Sequence, residues 1–147
     1  MSSLSLLLPP LLAFATRLQN PVWWTFQAVP SQTGYVVQLE ARLYPGWHLY
    51  SQWQPRGAFA LPTRIRFTPA ADLSFTGPTI EKGDVQRVRE AVLGTEVNQC
   101  AGRVQFLQTV VTKSSQAAPV CGTITYQACM ADRCLPPQTI AFSIRLP

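Results

Sequence analysis

Residues 35–44 read YVVQLEARLY, and apolar and polar side chains alternate in this stretch from Val37 onward. A period of two sends successive side chains to opposite faces, which is the pattern of a β-strand with one buried face. The Pro-Gly pair at residues 45–46 ends the run, and residues 47–50, WHLY, form a second extended, aromatic-rich segment. This region therefore predicts two consecutive strands and indicates a β-protein.

Four more segments extend the strand pattern toward the C-terminus. They are rich in β-branched or aromatic residues and cover 63–68, 103–112, 123–128 and 139–146. Turn-forming clusters separate the runs at 30–34, 54–57, 76–83 and 113–119. The 13 prolines disfavour a helical protein, because a proline inside a helix costs about 3 kcal/mol. We expect an all-β, antiparallel β-sandwich in which residues 84–93 are the one candidate for a short helix.

Length and composition indicate a single core. The chain has 147 residues, of which 47% are hydrophobic and 13% are charged. Residues 4–15 are apolar and end in Ala-Phe-Ala, the small-x-small pattern that precedes a signal-peptidase cut. We expect residues 1–15 to be a signal peptide and residues 16–147 to be one exported β-sandwich domain. No later stretch reaches the 18 or more apolar residues of a membrane span.

The charge distribution argues against one class of partner. The formal net charge is +5, and the basic residues are scattered singly along the chain. Proteins that bind nucleic acids concentrate positive charge to neutralise phosphates. We therefore expect no nucleic-acid partner.

Four cysteines stand at positions 100, 121, 129 and 134. In an exported protein they indicate disulfides, and four cysteines allow three pairings. The 20, 7 and 4 residues between successive cysteines do not form the paired knuckles of a structural zinc site. There is also no Cys-x-x-Cys motif in a βαβ pattern, so a thioredoxin fold is excluded. We expect neither a metal nor a cofactor.

Cys129 and Cys134 lie between two predicted strands, at the ends of a hairpin-like turn. Four intervening residues can bring their Cα atoms within the ~4.4–6.8 Å that a disulfide requires. On the loop-entropy model such a bridge stabilises by only ~2.2 kcal/mol, against ~3.4 kcal/mol for one between Cys100 and Cys121. The prolines at residues 136–137 hold the turn away from the sheet edge, because they lack the N–H that a ladder needs. The pair is either a structural disulfide that stabilises the fold weakly or a reactive disulfide, and both interpretations stay open.

Three motifs give the chain a resemblance to a known family. They are QNPV at residues 19–22 with Trp24 and Phe26, PGWHLYS at residues 45–51, and G-x3-YQAC-x4-CLPP at residues 122–137. The chain resembles the N-terminal periplasmic domain of the bacterial thiol:disulfide interchange protein DsbD. The third motif is the specific one, and the resemblance covers most of the chain after the leader.

The resemblance implies an immunoglobulin-like sandwich that relays electrons by thiol–disulfide exchange. Members of the family receive electrons from a thioredoxin-like domain and pass them to periplasmic substrates, including isomerases and cytochrome c maturation factors. By this resemblance Cys134 forms the mixed disulfide with the partner and Cys129 resolves it, each time by attack of a thiolate on a disulfide sulfur. Thioredoxin-like proteins are thus the expected electron donors and acceptors.

The resemblance also implies a cap loop, here residues 89–95, that covers the cysteines until a partner displaces it. Val92 and Leu93 occupy the places where aromatic residues sit in the best-known members. His48 and Tyr50 match positions that approach the cysteines in the family. A histidine near a thiol can stabilise a thiolate, and simple packing is the alternative role for both residues.

Cys100 and Cys121 lie outside the family motif, each at the rim of a predicted strand, and we expect a structural disulfide between them. Two other functions remain open from the sequence. A passive envelope adaptor would keep the Cys129–Cys134 bridge for stability alone. A sugar-binding sandwich would use the tryptophans at positions 23, 24, 47 and 53.

Overall fold

The computed structural model describes residues 20–147, so the predicted signal peptide at residues 1–15 lies outside the described residues. Eight strands joined by turns and loops make up the described part. They are β1 (Val22–Pro30), β2 (Tyr35–Leu43), β3 (His48–Tyr50), β4 (Arg64–Phe67), β5 (Leu73–Glu90), β6 (Thr95–Thr112), β7 (Val120–Tyr126) and β8 (Gln138–Ile144). The described residues include no helix of the length and apolar character that crossing a membrane would need.

The strands form two antiparallel sheets. In the larger sheet β6 is central: β5 pairs with one edge of it, and β2 and then β3 pair with the other edge. β1 pairs with the outer edge of β2. The smaller sheet has the strand order β4-β7-β8. Because β6 is 18 residues long, it carries β2 on its C-terminal half and still leaves its N-terminal half for β3 and the end of β5.

The period-two pattern determines which side chains fill the core between the sheets. In β2, Val37, Leu39 and Ala41 are fully buried, as the alternation predicts. Aromatic contacts join the two sheets, and Phe26 of β1 stacks on Phe142 of β8 with 5.6 Å between ring centroids. The predicted all-β, immunoglobulin-like antiparallel β-sandwich is confirmed.

The predicted strands form β2, β3, β4, part of β6, β7 and β8, whereas β1 and β5 were not predicted. The candidate helix at residues 84–93 is wrong: these residues complete β5 and enter the turn at 91–94. Val85 and Val88 pair instead with Cys100 and Val97 of β6, where β-branched side chains fit the pleated surface. The predicted turn at residues 76–83 also lies within β5, where the register against β6 shifts.

Candidate functional site

Residues 128–135 form a small hairpin, which we call the cysteine hairpin. Two backbone hydrogen bonds of 2.9 and 2.7 Å close it, one on each side of the cysteines. Cys129 and Cys134 therefore face each other as a non-hydrogen-bonded antiparallel pair, the position at which opposite side chains lie closest. Their Cα atoms are 4.0 Å apart and their sulfurs are bonded at 2.06 Å. The two cysteines are therefore close enough to bond, as expected from the sequence.

The two cysteines differ in exposure. Cys129 is fully buried, whereas Cys134 is partly exposed. The prolines that follow at residues 136–137 are exposed and continue the chain toward β8. A sulfur of another protein can therefore approach Cys134 with less rearrangement than Cys129.

β3 holds the cysteine hairpin against the larger sheet. The N–H of His48 donates to the carbonyl of Cys129 at 2.9 Å, and the N–H of Cys129 donates back at 3.0 Å. The other edge of β3 pairs with β6. Side chains two apart in a strand share a face, so His48 and Tyr50 project together, and their rings meet edge-on with centroids 5.4 Å apart. β3 is thus a short platform between the disulfide and the sheet.

Glu90, the last residue of β5, joins both rings. Its side chain is buried; Oε2 accepts a hydrogen bond from the Tyr50 hydroxyl at 2.6 Å, and Oε1 lies 2.9 Å from Nε2 of His48. Burial first, and then the hydrogen bond and charge of Glu90, raise the pKa of Tyr50 above its usual range, so the hydroxyl stays protonated. The same hydroxyl lies 3.8 Å from Sγ of Cys134. A buried polar chain therefore runs from His48 through Glu90 and Tyr50 to the disulfide.

The predicted cap loop, residues 89–95, is the turn between β5 and β6. Gly94 takes the positive φ of 69° that the turn requires, and its N–H donates to the carbonyl of Glu90 at 2.8 Å. Leu93 packs against the cluster that contains Cys129 and, at its margin, Cys134. Val92 is 39% exposed. Of the two aliphatic residues expected to cover the cysteines, the structure brings Leu93 to them and turns Val92 toward solvent.

A cleft of about 440 Å³ opens beside this cluster. His48 and Glu90 line it together with Trp47, Arg89 and Ala131 of the cysteine hairpin. The cleft gives small solutes a route to the His48–Glu90 pair that does not pass the exposed side of Cys134. A ring nitrogen of His48, a carboxylate oxygen of Glu90 and Sγ of Cys129 all lie within 4.8 Å of one another.

The expected Cys100–Cys121 disulfide is not formed, and both cysteines are free. Cys100 lies on β6 of the larger sheet and is buried in the core. Cys121 lies on β7 of the smaller sheet, at an outward-facing position of the alternating pattern, with Sγ 3.5 Å from Oγ of Ser143. The pleat thus directs the two thiols to different faces, although both stand near predicted strand ends.

Glu90 is the site residue that sequence reasoning missed. Glu90 lies within the predicted cap loop and also within the candidate helix at residues 84–93, and neither prediction applies the strand period to it. Counted as a strand, the pattern makes Val88 and Glu90 inward-facing, and an acidic residue at a buried strand position is a signal of function. His48 and Tyr50, predicted to approach the cysteines, both lie beside them: the backbone of His48 hydrogen-bonds to Cys129, and the Tyr50 hydroxyl lies 3.8 Å from Sγ of Cys134.

Comparison with known proteins gives a family match and similar folds. The family described as "Thiol:disulfide interchange protein DsbD, N-terminal" matches residues 16–145. No curated protein matches the chain.

Two solved structures share the fold at low sequence identity. The N-terminal periplasmic domain of ScsB from Proteus mirabilis superposes with a TM-score of 0.61 at 18% identity, over 84% of this chain and 46% of that one. A chain in the complex between the DsbD N-terminal and PilB N-terminal domains from Neisseria meningitidis gives a TM-score of 0.52 at 18% identity, over 93% and 86% of the two chains. This chain thus spans less than half of the solved ScsB chain.

Proposed function

Because the chain belongs to the family of N-terminal domains of the thiol:disulfide interchange protein DsbD, we propose that it relays electrons through Cys129 and Cys134. Its partners in this proposal are thioredoxin-like proteins, one as electron donor and others as acceptors. Residues 1–15 are removed as a signal peptide, and the domain formed by residues 16–147 works in the periplasm. The substrates that receive the electrons are disulfide-bonded envelope proteins, including isomerases and cytochrome c maturation factors.

One observation carries the proposal: the cysteine hairpin presents a bonded pair in which Cys134 is partly exposed and Cys129 is buried. Exchange needs one sulfur that another protein can reach and one that resolves the intermediate. A fully buried bridge would offer no sulfur to a partner. The geometry supports Cys134 as the exchanging sulfur and Cys129 as the resolving one.

The exchange balances as two thiolate displacements. A donor thiolate attacks Sγ of Cys134, the Cys129–Cys134 bond breaks, and Cys129 leaves as a thiolate that takes up a proton. The donor's second thiolate then attacks the donor sulfur that is bonded to Cys134. The mixed disulfide breaks, and Cys134 leaves as a thiolate that also takes up a proton, so two electrons and two protons have entered the domain. The reverse sequence, with Cys134 attacking an acceptor disulfide and Cys129 resolving, passes them on.

The residues around the sulfurs support this cycle in two ways. Leu93 of the cap loop packs against the cluster that contains Cys129 and, at its margin, Cys134, which supports a covering role for this loop. The carboxylate of Glu90, held by Tyr50 and His48, disfavours a second negative charge on the nearby sulfur, because like charges in a buried site repel. Both effects lower the reactivity of a reduced pair until a partner moves the cap loop.

Trapping tests the proposal. In a Cys121→Ser background, which removes the partly exposed free thiol, the Cys134 thiol of a Cys129→Ser variant is first converted to a mixed disulfide with thionitrobenzoate. The variant is then mixed with a thioredoxin-like domain from the same organism whose own resolving cysteine is replaced, so that the remaining thiolate of that domain displaces thionitrobenzoate. We expect a covalent complex through Cys134 that dithiothreitol separates by reducing the mixed disulfide. The matched Cys134→Ser variant leaves the buried Cys129 and is expected to give little or no complex.

The competing function, a passive adaptor with a structural bridge, makes the opposite forecast. Structural disulfides have reduction potentials below about −300 mV, whereas exchange modules lie near those of their thioredoxin-like partners. Redox titration of the Cys121→Ser protein measures this potential. A value in the structural range, together with no cross-linked complex, would overturn the relay.

A further inference from the structure

Three separated parts of the chain bring metal-binding atoms together at the disulfide. His48 comes from β3, Glu90 from the end of β5, and Cys129 from the cysteine hairpin, and all three side chains are buried. One donor atom from each lies within 4.8 Å of the other two. Sγ of Cys134 is bonded to Sγ of Cys129, so a fourth donor is at the same place.

We propose that the reduced domain binds one zinc ion through Cys129, Cys134, His48 and Glu90, and that zinc and the disulfide are alternative occupants of this site. The proposal builds on the proposed function only in that the exchange cycle produces the reduced pair. The cysteine spacing gave no sign of the site, because two of its four ligands come from strands far away in sequence.

The donor set fits zinc in kind and in charge. Zinc takes thiolate, imidazole and carboxylate ligands in a tetrahedral arrangement, whereas Mg²⁺ and Ca²⁺ require mostly oxygen. Two thiolates and one carboxylate around a divalent ion leave a net charge of −1. A Cys3His structural zinc site carries the same charge, so burial of this site is no more costly than in known zinc proteins.

The geometry makes the two states exclusive. Zinc–ligand distances of about 2.0–2.3 Å place tetrahedral ligand atoms about 3.3–3.8 Å apart. The bonded sulfurs are 2.06 Å apart, so they must separate before both can bind the ion. Oε1 of Glu90 and Nε2 of His48, now 2.9 Å apart, need to move apart by only a few tenths of an ångström. Reduction of the bridge is therefore the event that creates the site.

The surroundings supply the orientation and the entry path that a metal site needs. The Tyr50 hydroxyl donates to Oε2 of Glu90, which fixes the carboxylate and leaves Oε1 toward His48. The cleft of about 440 Å³ is lined by His48 and Glu90, so a hydrated ion can reach these two ligands from solvent. Two backbone hydrogen bonds between His48 and Cys129 hold these two ligands side by side, and neither bond involves the sulfur that reduction changes.

Zinc binding moves no electrons. The reduced pair enters as two thiols, the ion displaces both protons to solvent, and both sulfurs become zinc-bound thiolates. A thiolate held by zinc is a poorer attacking group, and it cannot join its neighbour in a disulfide. Zinc would therefore slow both exchange with acceptors and re-oxidation, and removal of zinc would restore them.

The test uses the Cys121→Ser protein, reduced chemically and freed of reductant under anaerobic conditions. Zinc is titrated against a chromophoric chelator, and cobalt(II) is added separately as a spectroscopic probe. We expect one zinc per reduced chain and none per oxidised chain. Cobalt should give the sulfur-to-metal absorption of two thiolates and the strong visible bands of tetrahedral coordination.

Matched variants identify the other two ligands. Glu90→Gln and His48→Gln, each shown to be folded by near-ultraviolet circular dichroism, should each weaken zinc binding by at least about tenfold. Glu96→Gln removes an exposed carboxylate on the neighbouring strand and should bind as the parent does. If Glu90→Gln does not fold, the cobalt spectrum of the parent and the His48→Gln titration decide the matter.

The outcomes separate this proposal from the exchange function. Reduced protein that binds no zinc, or folded variants that bind as tightly as the parent, would overturn the site. Chemical reduction bypasses any partner, so zinc binding without cross-linking to thioredoxin-like domains would leave the site standing and remove only the relay. Cross-linking without zinc binding would support the relay and overturn the zinc site.

Discussion

The molecule carries two sets of cysteines whose fates differ completely. Cys129 and Cys134 face each other across a tight hairpin and are bonded, whereas Cys100 and Cys121 stand on strands of different sheets and are free. Loop entropy alone favours the opposite result, since the longer loop would give the more stabilising bridge. Local backbone geometry determines which pair is bonded. Cys129 and Cys134 stand opposite each other in one antiparallel pair, which brings their sulfurs together, whereas Cys100 and Cys121 point to different faces, which keeps their sulfurs apart.

The two sets differ in chemical readiness as well. Burial, and then the charges of Glu81 and Asp84, raise the pKa of Cys100 to about 12, so this thiol is not ionised at neutral pH. Cys121 is partly exposed, and its Sγ lies near the Ser143 hydroxyl and the backbone carbonyl of Pro119, neither of which is charged. Only the cysteine hairpin combines access with a neighbouring sulfur.

The largest expected difference between the two sets appears when one sulfur is removed from each. Cys134→Ser should lower the rate at which the domain is reduced by a thioredoxin-like donor by more than about a hundredfold, because no exchangeable bond remains. Cys121→Ser should keep the parental rate within about twofold, since its sulfur takes no part in exchange. Quenching with an alkylating reagent that shifts gel mobility measures both rates. Equal rates for the two variants would show that the hairpin is not the exchanging pair.

The next effect concerns the cap loop over the hairpin. In the reduced protein, Leu93→Ala should raise the rate of iodoacetamide modification at Cys134 by about five- to tenfold, because truncating this partly buried side chain removes local packing of about 1 kcal/mol. Val92→Ala is the matched control, since that side chain faces solvent and its truncation should change little. Mass spectrometry of the modified peptide reads the rate at each cysteine. A larger effect at Val92 than at Leu93 would contradict the assignment of the cap.

A smaller effect should come from the charge of Glu90. In the reduced, zinc-free protein, Glu90→Gln removes the negative charge near the sulfur and so favours the thiolate, and the pH profile of Cys134 alkylation should move to lower pH. Glu96→Gln, exposed and paired with Arg87, should leave the profile in place. A shift to higher pH would mean that Glu90 assists ionisation.

The contrast between the two cysteine sets also marks what the sequence could predict. Alternation in residues 35–44 and the turn residues around them were enough for the strands and the sandwich, because a half-buried strand has to alternate. Cys129 and Cys134 could be placed together, because they are close in sequence and separated by a turn. β5 and β6 form one hairpin, but β5 is exposed on both faces for much of its length and its register shifts twice, so β5 shows little alternation. The burial of Glu90 could not be predicted without that pairing. The separation of Cys100 and Cys121 could not be predicted either, because it depends on which sheet each strand joins.

The smallest effects should appear when each free thiol becomes a hydroxyl. Cys100→Ser places a more polar group in the core beside Leu49 and Val85, and it should lower the free energy of unfolding by about 1–3 kcal/mol. Cys121→Ser keeps a polar group next to Ser143 on the outer face and should change stability by no more than about 0.5 kcal/mol. Urea unfolding of the oxidised proteins, followed by tryptophan fluorescence, measures both. Because neither thiol is bonded, neither change should depend on added reductant beyond the dependence of the parent. A large loss in Cys121→Ser that appears only under oxidising conditions would mean that the two sulfurs do meet, and the contrast between the two sets would then fail.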